Sequence, residues 1–192
     1  MSKVKAIGLI VEDNSDFETI RTLIKRMVKK ENLCFKKAIG NGCGKLKRKA
    51  LDYTVDLTRR GCDMIILVHD LDRNDYAKLL SDLKSKLQTA PIEKKFICIP
   101  IEEIEAWLLS DPKGIKKTMN LNRKPKFKGE PETISSPKEK LGEQIFACSN
   151  KTTLYLNTKH NQKIAEEISL ELVNKRCSSF NSLTQYISQF KY

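Results

Sequence analysis

Asp63-Met-Ile-Ile-Leu-Val-His-Asp70-Leu-Asp72 joins five uninterrupted apolar residues to a pair of aspartates. A short apolar run without polar alternation predicts a strand buried on both faces, as in a parallel sheet covered by helices. Upstream, Lys5-Ala-Ile-Gly-Leu-Ile-Val11 reads the same way. Phe17, Ile20, Leu23, Ile24, Met27 and Val28 follow it at helical spacing. Cys34 to Ile39 reads as a further strand, and Gly40-Asn-Gly-Cys-Gly44 breaks the chain. A basic helix is predicted from Lys45 to Arg60, with Leu46, Ala50, Tyr53 and Leu57 along one side. Downstream, Tyr76, Leu79, Leu80, Leu83 and Leu87 mark a helix, Phe96-Ile-Cys-Ile-Pro-Ile101 a strand, and Glu102 to Leu109 a short helix carrying Trp107. The alternation predicts an α/β fold: a mostly parallel sheet with helices on both faces and right-handed crossovers. In such sheets functional groups gather at the carboxyl ends of the strands. That rule points to Glu12, to Asp70 and to the residues after Ile101.

The chain has 192 residues, 40% hydrophobic and 31% charged, enough for one domain with an elaboration. The boundary is read at Asp111: residues 1–111 form the α/β core and residues 112–192 a basic loop and helical elaboration packed on it. The first part holds 21 basic and 17 acidic residues, the second 15 and 7. Residues 120–137, rich in proline and lysine, are expected to loop across a surface; helices are expected over 137–148, 161–176 and 179–190. The net charge of +12 favours a polyanionic partner. No secretory leader is read ahead of the first strand, and no run reaches the length of a membrane span. Six cysteines without a CxxC and only two histidines, His69 and His160, make no zinc pattern; buried free thiols in a reducing cytosol are expected.

Three acidic segments follow predicted strands. Glu12, Asp13 and Asp16 follow the first. With a helix starting near Asn14, Glu12 stands at the strand tip and Asp16 in the first turn, where it either lines the crevice or complements the helix dipole behind an Asn14 or Ser15 cap. Asp70 and Asp72, two apart in extended backbone, project to one side and offer hard oxygen ligands to Mg²⁺ or Mn²⁺. Glu102 and Glu105 lie at i,i+3, and Glu105 is the additional metal or water-positioning carboxylate. Crowded carboxylates repel one another and a divalent cation relieves that repulsion. Glu12, Asp16, Asp70, Asp72 and Glu105 are therefore the expected metal ligands, for chemistry on a phosphodiester. Lys159 and Arg73 are candidates to offset developing negative charge. Gly40 to Gly44 with Lys45 is one residue too short for a Walker A loop and lacks its Ser or Thr. Lys45, Lys47, Arg48 and Lys49, with Arg73, read instead as phosphate contacts, or as a solvated helix face.

Two family resemblances arise from these residues. Leu9-Ile-Val-Glu-Asp-Asn14 with the strand ending at Asp70 resembles a bacterial response-regulator receiver domain, which implies a phosphoaccepting Asp70; Leu71-Asp-Arg-Asn74 stands where a receiver has a Met-Pro turn, and no switch Ser or Thr follows the next strand. Glu12 with Asp70-Leu-Asp72 resembles the TOPRIM fold of topoisomerases, primases and overcoming-lysogenization-defect nucleases, with Asp13 in place of the usual glycine. Ile101-Glu-Glu-Ile-Glu-Ala-Trp-Leu-Leu-Ser-Asp111, Ser136-Pro-Lys-Glu-Lys-Leu141 and Ile168-Ser-Leu-Glu-Leu-Val-Asn-Lys-Arg-Cys-Ser-Ser-Phe180 are similar to small TOPRIM-like bacterial proteins that accompany an ABC-type or SMC-like ATPase in phage-defence-like gene clusters. The resemblance implies a Mg²⁺- or Mn²⁺-dependent nuclease with Glu12, Asp70, Asp72 and Lys159 as catalytic groups; Glu105 joins them from its place after the fourth strand, and the thiols read as those of a cytoplasmic protein. It implies nucleic acid and an ABC/SMC-like ATPase as partners, with a homo-oligomer possible and no membrane. A nucleic-acid-binding or regulatory subunit without catalysis is the alternative from a different class.

Overall fold

The computed structural model describes residues 3–192. Four strands, β1 (Ala6–Val11), β2 (Cys34–Ile39), β3 (Met64–Val68) and β4 (Lys95–Cys98), form one sheet in the order β2-β1-β3-β4, and every pairing is parallel. Between them run α1 (Asn14–Val28), α2 (Cys43–Arg59) and α3 (Tyr76–Lys86). The apolar strands alternate between two cores. Ile7, Leu9, Val11, Met64, Ile66 and Val68 face α1 and the C-terminal helices; Ile10, Ile65 and Leu67 face α2 and α3. Burial on both faces explains why these strands read as continuous apolar runs. Gly8 is small for a packing reason, since a Cβ there would lie 3.0 Å from Leu57 of α2 and 2.5 Å from Ile65.

After β4 follow α4 (Glu105–Leu108), α5 (Pro112–Thr118), a 3₁₀ turn (Pro131–Thr133), α6 (Pro137–Cys148), α7 (Asn157–Glu167), α8 (Leu170–Arg176) and α9 (Ser178–Ser188). These elements add Trp107, Leu141, Ile164, Phe180 and Leu183 to the core that holds α1. Trp107 is fully buried, donates from Nε1 to Ser179 Oγ at 2.8 Å and meets Phe180 edge-on. The loop ahead of α6 is pinned by Glu132, whose carboxylate accepts from the Ser178 and Ser179 amides at 2.7 and 3.1 Å and so caps α9.

Several boundaries differ from the sequence reading. The helix expected over 161–176 is two, because Ser169 caps α8 by accepting from Leu172 N–H, while its own N–H donates to Asp111 Oδ2 at 3.0 Å. The other oxygen of Asp111 caps α5, a helix the composition did not reveal. The helix expected from Glu102 begins only at Glu105, because Glu102 takes a left-handed φ of 61°. The strand expected to end at Pro100 or Ile101 ends at Cys98, although Cys98 and Pro100 carbonyls still accept from His69 and Leu71. Cys62, Cys98, Cys148 and Cys177 are buried free thiols as expected, but Cys34 is exposed and Cys43 only partly covered. Among the described residues no helix is long and apolar enough to cross a membrane.

Candidate functional site

Strand β1 is flanked by β2 on one side and β3 on the other: α1 carries the chain out to β2 and α2 carries it back past β1 to β3, so the strand order reverses there. The crevice at its carboxyl end is a topological switch point, where open α/β sheets bind ligands. Glu12 stands at that end. Beyond the strands, Gly40 N–H donates to Val11 O at 2.8 Å and Asn41 N–H to Glu12 O at 2.9 Å, which carries β2 forward over the crevice. The chain then turns at Gly42, φ 109°, and enters α2 at Cys43. Gly40 admits this turn because any Cβ would sit 2.5 Å from Leu46 Cβ. The glycine segment is thus a strand-to-helix turn that delivers a thiol.

The Cys43 thiol donates to Glu12 Oε2 at 2.6 Å and lies 3.1 Å from Asp72 Oδ2. One ligand atom from each of the three residues falls within 4.8 Å of the others. Burial, then the hydrogen bonds to Glu12 and Asp72, push the thiol well above its ordinary range, so it is a proton donor shared by two carboxylates. Asp72 reaches this place through a left-handed turn, φ 46° at Asp72 and 62° at Arg73, which replaces the extended geometry expected for Asp70-Leu-Asp72. Its N–H donates to Glu102 O at 3.1 Å, joining the ends of β3 and β4.

Deeper acids stand beside this group. Burial holds the Asp70 carboxyl well above the usual range, with Asp16, Glu105, Asp72 and Glu103 adding in that order. Asp16 is pushed up to about 8 by burial and by Asp13, Glu105 and Glu12, against one lowering hydrogen bond. The N-cap of α1 is Asp13, not Asn14 or Ser15: Asp13 Oδ1 accepts from Asp16 N–H at 3.0 Å and Asp16 Oδ2 from Asp13 N–H at 3.3 Å. This reciprocal box gives Asp16 its capping role and fixes its carboxyl among the other acids. Glu105 is 4% exposed; its Oε1 accepts from Asn161 Nδ2 at 3.0 Å and lies 3.1 Å from the Tyr155 hydroxyl. That hydroxyl shares its single proton with Asn161 Oδ1. Glu103 accepts from Lys138 N–H at 2.9 Å at the start of α6, and burial raises its carboxyl.

The DUF4276 family, described as a domain of unknown function, matches residues 11–188. The chain belongs to that family. No curated protein and no solved structure matches it.

The basic residues expected at the site are placed unevenly in this DUF4276 chain. Lys45, Arg48 and Lys49 are exposed on α2 and form no ion pair among the described residues, whereas Lys47 is held by Asp82 of α3 at 2.7 Å. Lys47 thus also links α2 to α3 through a surface ion pair. Arg73 donates to Ser136 Oγ at 3.1 Å and stands 3.9 Å from Glu102, on a recess also lined by Asp72 and Glu103. Lys159 is exposed on the first turn of α7, where burial and the Lys159 and Lys163 ammonium groups hold His160 below its ordinary value. It makes no ion pair with any carboxylate among the described residues.

Cys43, Tyr155 and Asn161 were not singled out in the sequence. Cys43 was findable, because the rule applied to β1 and β3 also covers the residues after β2. Tyr155 and Asn161 carried no local signal, since their role depends on α7 packing along α1 and against α4. Asn161 is fully buried and orients a fixed oxygen of Glu105. Asn161→Ala is expected to weaken cation binding by about 10–100-fold, the usual effect of losing a group that orients a ligand. Calorimetric titration with Mn²⁺, alongside circular dichroism for the fold, reads it; unchanged affinity in a folded variant would deny Asn161 this role.

Proposed function

We propose that this DUF4276 chain is a divalent-cation-dependent nuclease that hydrolyses phosphodiesters in DNA or RNA. The observation that carries the reading is the convergence of Glu12 and Asp72 within 4.8 Å at the switch-point crevice, next to the raised carboxyls of Asp16 and Asp70. A hard cation suits the oxygens of Glu12 and Asp72, which come within 4.8 Å of each other with the Cys43 thiol as the third member of the group. Asp16, Asp70 and Glu105 add neighbouring carboxyls whose repulsion favours added positive charge. Bound there, Mg²⁺ or Mn²⁺ supplies charge neutralisation at phosphate and a more acidic water. Glu12, Asp70 and Asp72 would hold the cation, and Glu105, oriented by Tyr155 and Asn161, would position water. Lys45, Arg48, Lys49 and Arg73 would track the nucleic-acid backbone, and Lys159 remains the proposed offset for developing charge. The TOPRIM resemblance supports the same assignment, and with it an effector role in the cytoplasm beside an ABC/SMC-like ATPase.

One observation favours a non-catalytic nucleic-acid-binding or regulatory subunit: the Cys43 thiol stands between Glu12 and Asp72 and offers its one proton to either of them without any cation. Incubating the purified chain with labelled single-stranded DNA, duplex DNA and RNA separates the two. Cleavage of at least one substrate is expected with Mn²⁺ or Mg²⁺ and none in chelator. No calorimetric Mn²⁺ binding up to millimolar metal, with tight nucleic-acid binding persisting in chelator, would establish the non-catalytic reading instead.

A further inference from the structure

The two edges of the sheet are treated differently. Edge strand β2 carries Lys36 and Lys37, charges of the kind that discourage further pairing. Edge strand β4 borders a 730 Å³ groove between α3 and α9, floored by Leu80, Leu87 and Ile97 and bordered by the partly exposed Tyr76. Carbonyls of Lys94, Cys98 and Pro100 accept from β3 and its extension. Parallel pairing alternates, so the N–H and C=O of Ile97 point the other way, into the groove. Neither has a hydrogen-bond partner among the described residues. The groove continues past Tyr76 into a smaller recess at Ile101, beside the turn at Glu102.

The charged residues lining the groove are Lys84 and Lys95, with no acidic residue among the described lining. Lys84 is exposed and forms no ion pair among the described residues; Lys95 Nζ donates to Ile92 O at 3.0 Å. We infer that the β4 edge is a docking site for an extended acidic peptide segment of another protein, which adds as a fifth strand. Its backbone would pair with Ile97, its alternate apolar side chains would enter the groove, and its carboxylates would meet Lys84 and Lys95. Charge disfavours a second copy in this place, since edge-to-edge pairing would set the two lysines against their own equivalents.

The test uses the full chain as bait for a displayed library of random dodecapeptides. The peptides recovered should alternate apolar residues with Asp or Glu. A synthetic copy of one should slow exchange of the Ile97 amide, and Lys84→Glu with Lys95→Glu should weaken its binding by at least about tenfold. Lys84 is exposed and Lys95 partly buried, so circular dichroism of the double variant checks its fold, and Ile97→Pro, which removes the outward donor, gives a second check. Recovery of no peptide, peptides without acidic residues, or affinity indifferent to the charge reversal would overturn the proposal. So would a concentration-dependent dimer that Ile97→Pro dissociates, which would give the edge to a second copy.

Discussion

Glu12→Gln combined with Asp72→Asn is expected to reduce cation-dependent cleavage by at least about 10³-fold, because both substitutions remove ligand charge from one cation. The neutral amides keep the shape of the acids, and their carbonyl oxygens still accept from the Cys43 thiol, now 2.6 and 3.1 Å from the two carboxylates. Loss of activity will therefore not be loss of fold. Removing two crowded negative charges should raise stability in chelator, by about 1 kcal/mol. The two readouts move in opposite directions, which misfolding cannot imitate. A folded double variant that retains cation-dependent cleavage would remove these residues from the reaction, and the nuclease proposal with them.

Asp16 makes the second large effect, on stability against pH. Its carboxyl is raised to about 8 in the folded chain from an ordinary 3.8. Between those values the unfolded chain has lost the proton and the folded chain keeps it, so the folded state binds more protons and stability falls as pH rises. The fall is spread over about pH 4 to 8 and reaches roughly 2–4 kcal/mol by pH 8, allowing for water that still reaches the group. Asp70 is raised for the same leading reason and adds to the same slope. Asp16→Asn, which can still accept from Asp13 N–H, should flatten the slope and stabilise the chain at pH 8 but hardly at pH 4. Mg²⁺ should flatten it in the parent chain by favouring the ionised carboxylates. Denaturant titrations in chelator across this range check both; a parent whose stability climbs from pH 4 to 8 would contradict the buried-acid arrangement.

The parallel sheet was legible because its inner strands are buried on both faces, which leaves the Met64–Val68 and Ala6–Val11 runs apolar throughout. The strand-end rule also located Glu12 and Asp72 in one crevice. It could not foresee that Asp72 arrives by a left-handed turn, because nothing local distinguishes Asp70-Leu-Asp72 in a turn from the same residues in a strand. The break at Ile168-Ser169 was hidden for a related reason: it is stabilised by Asp111, distant in sequence. The Tyr155–Asn161–Glu105 arrangement is likewise a product of helix packing, and long-range contacts of polar side chains leave no periodicity to read. The Lys47–Asp82 link between α2 and α3 is hidden in the same way, because Asp82 stands on the next helix.

Cys43 has a consequence for chemical durability. Thiols react with oxidants and alkylating reagents as thiolates. Two carboxylates that accept from Cys43 oppose loss of its proton, so a partly accessible cysteine at the mouth of the crevice is kept inert. Cys34, exposed on the edge strand β2, has no such guard and is the first thiol that reagents will meet. Oxidative damage would thus fall on the sheet's outer edge before it reached the acids of the crevice.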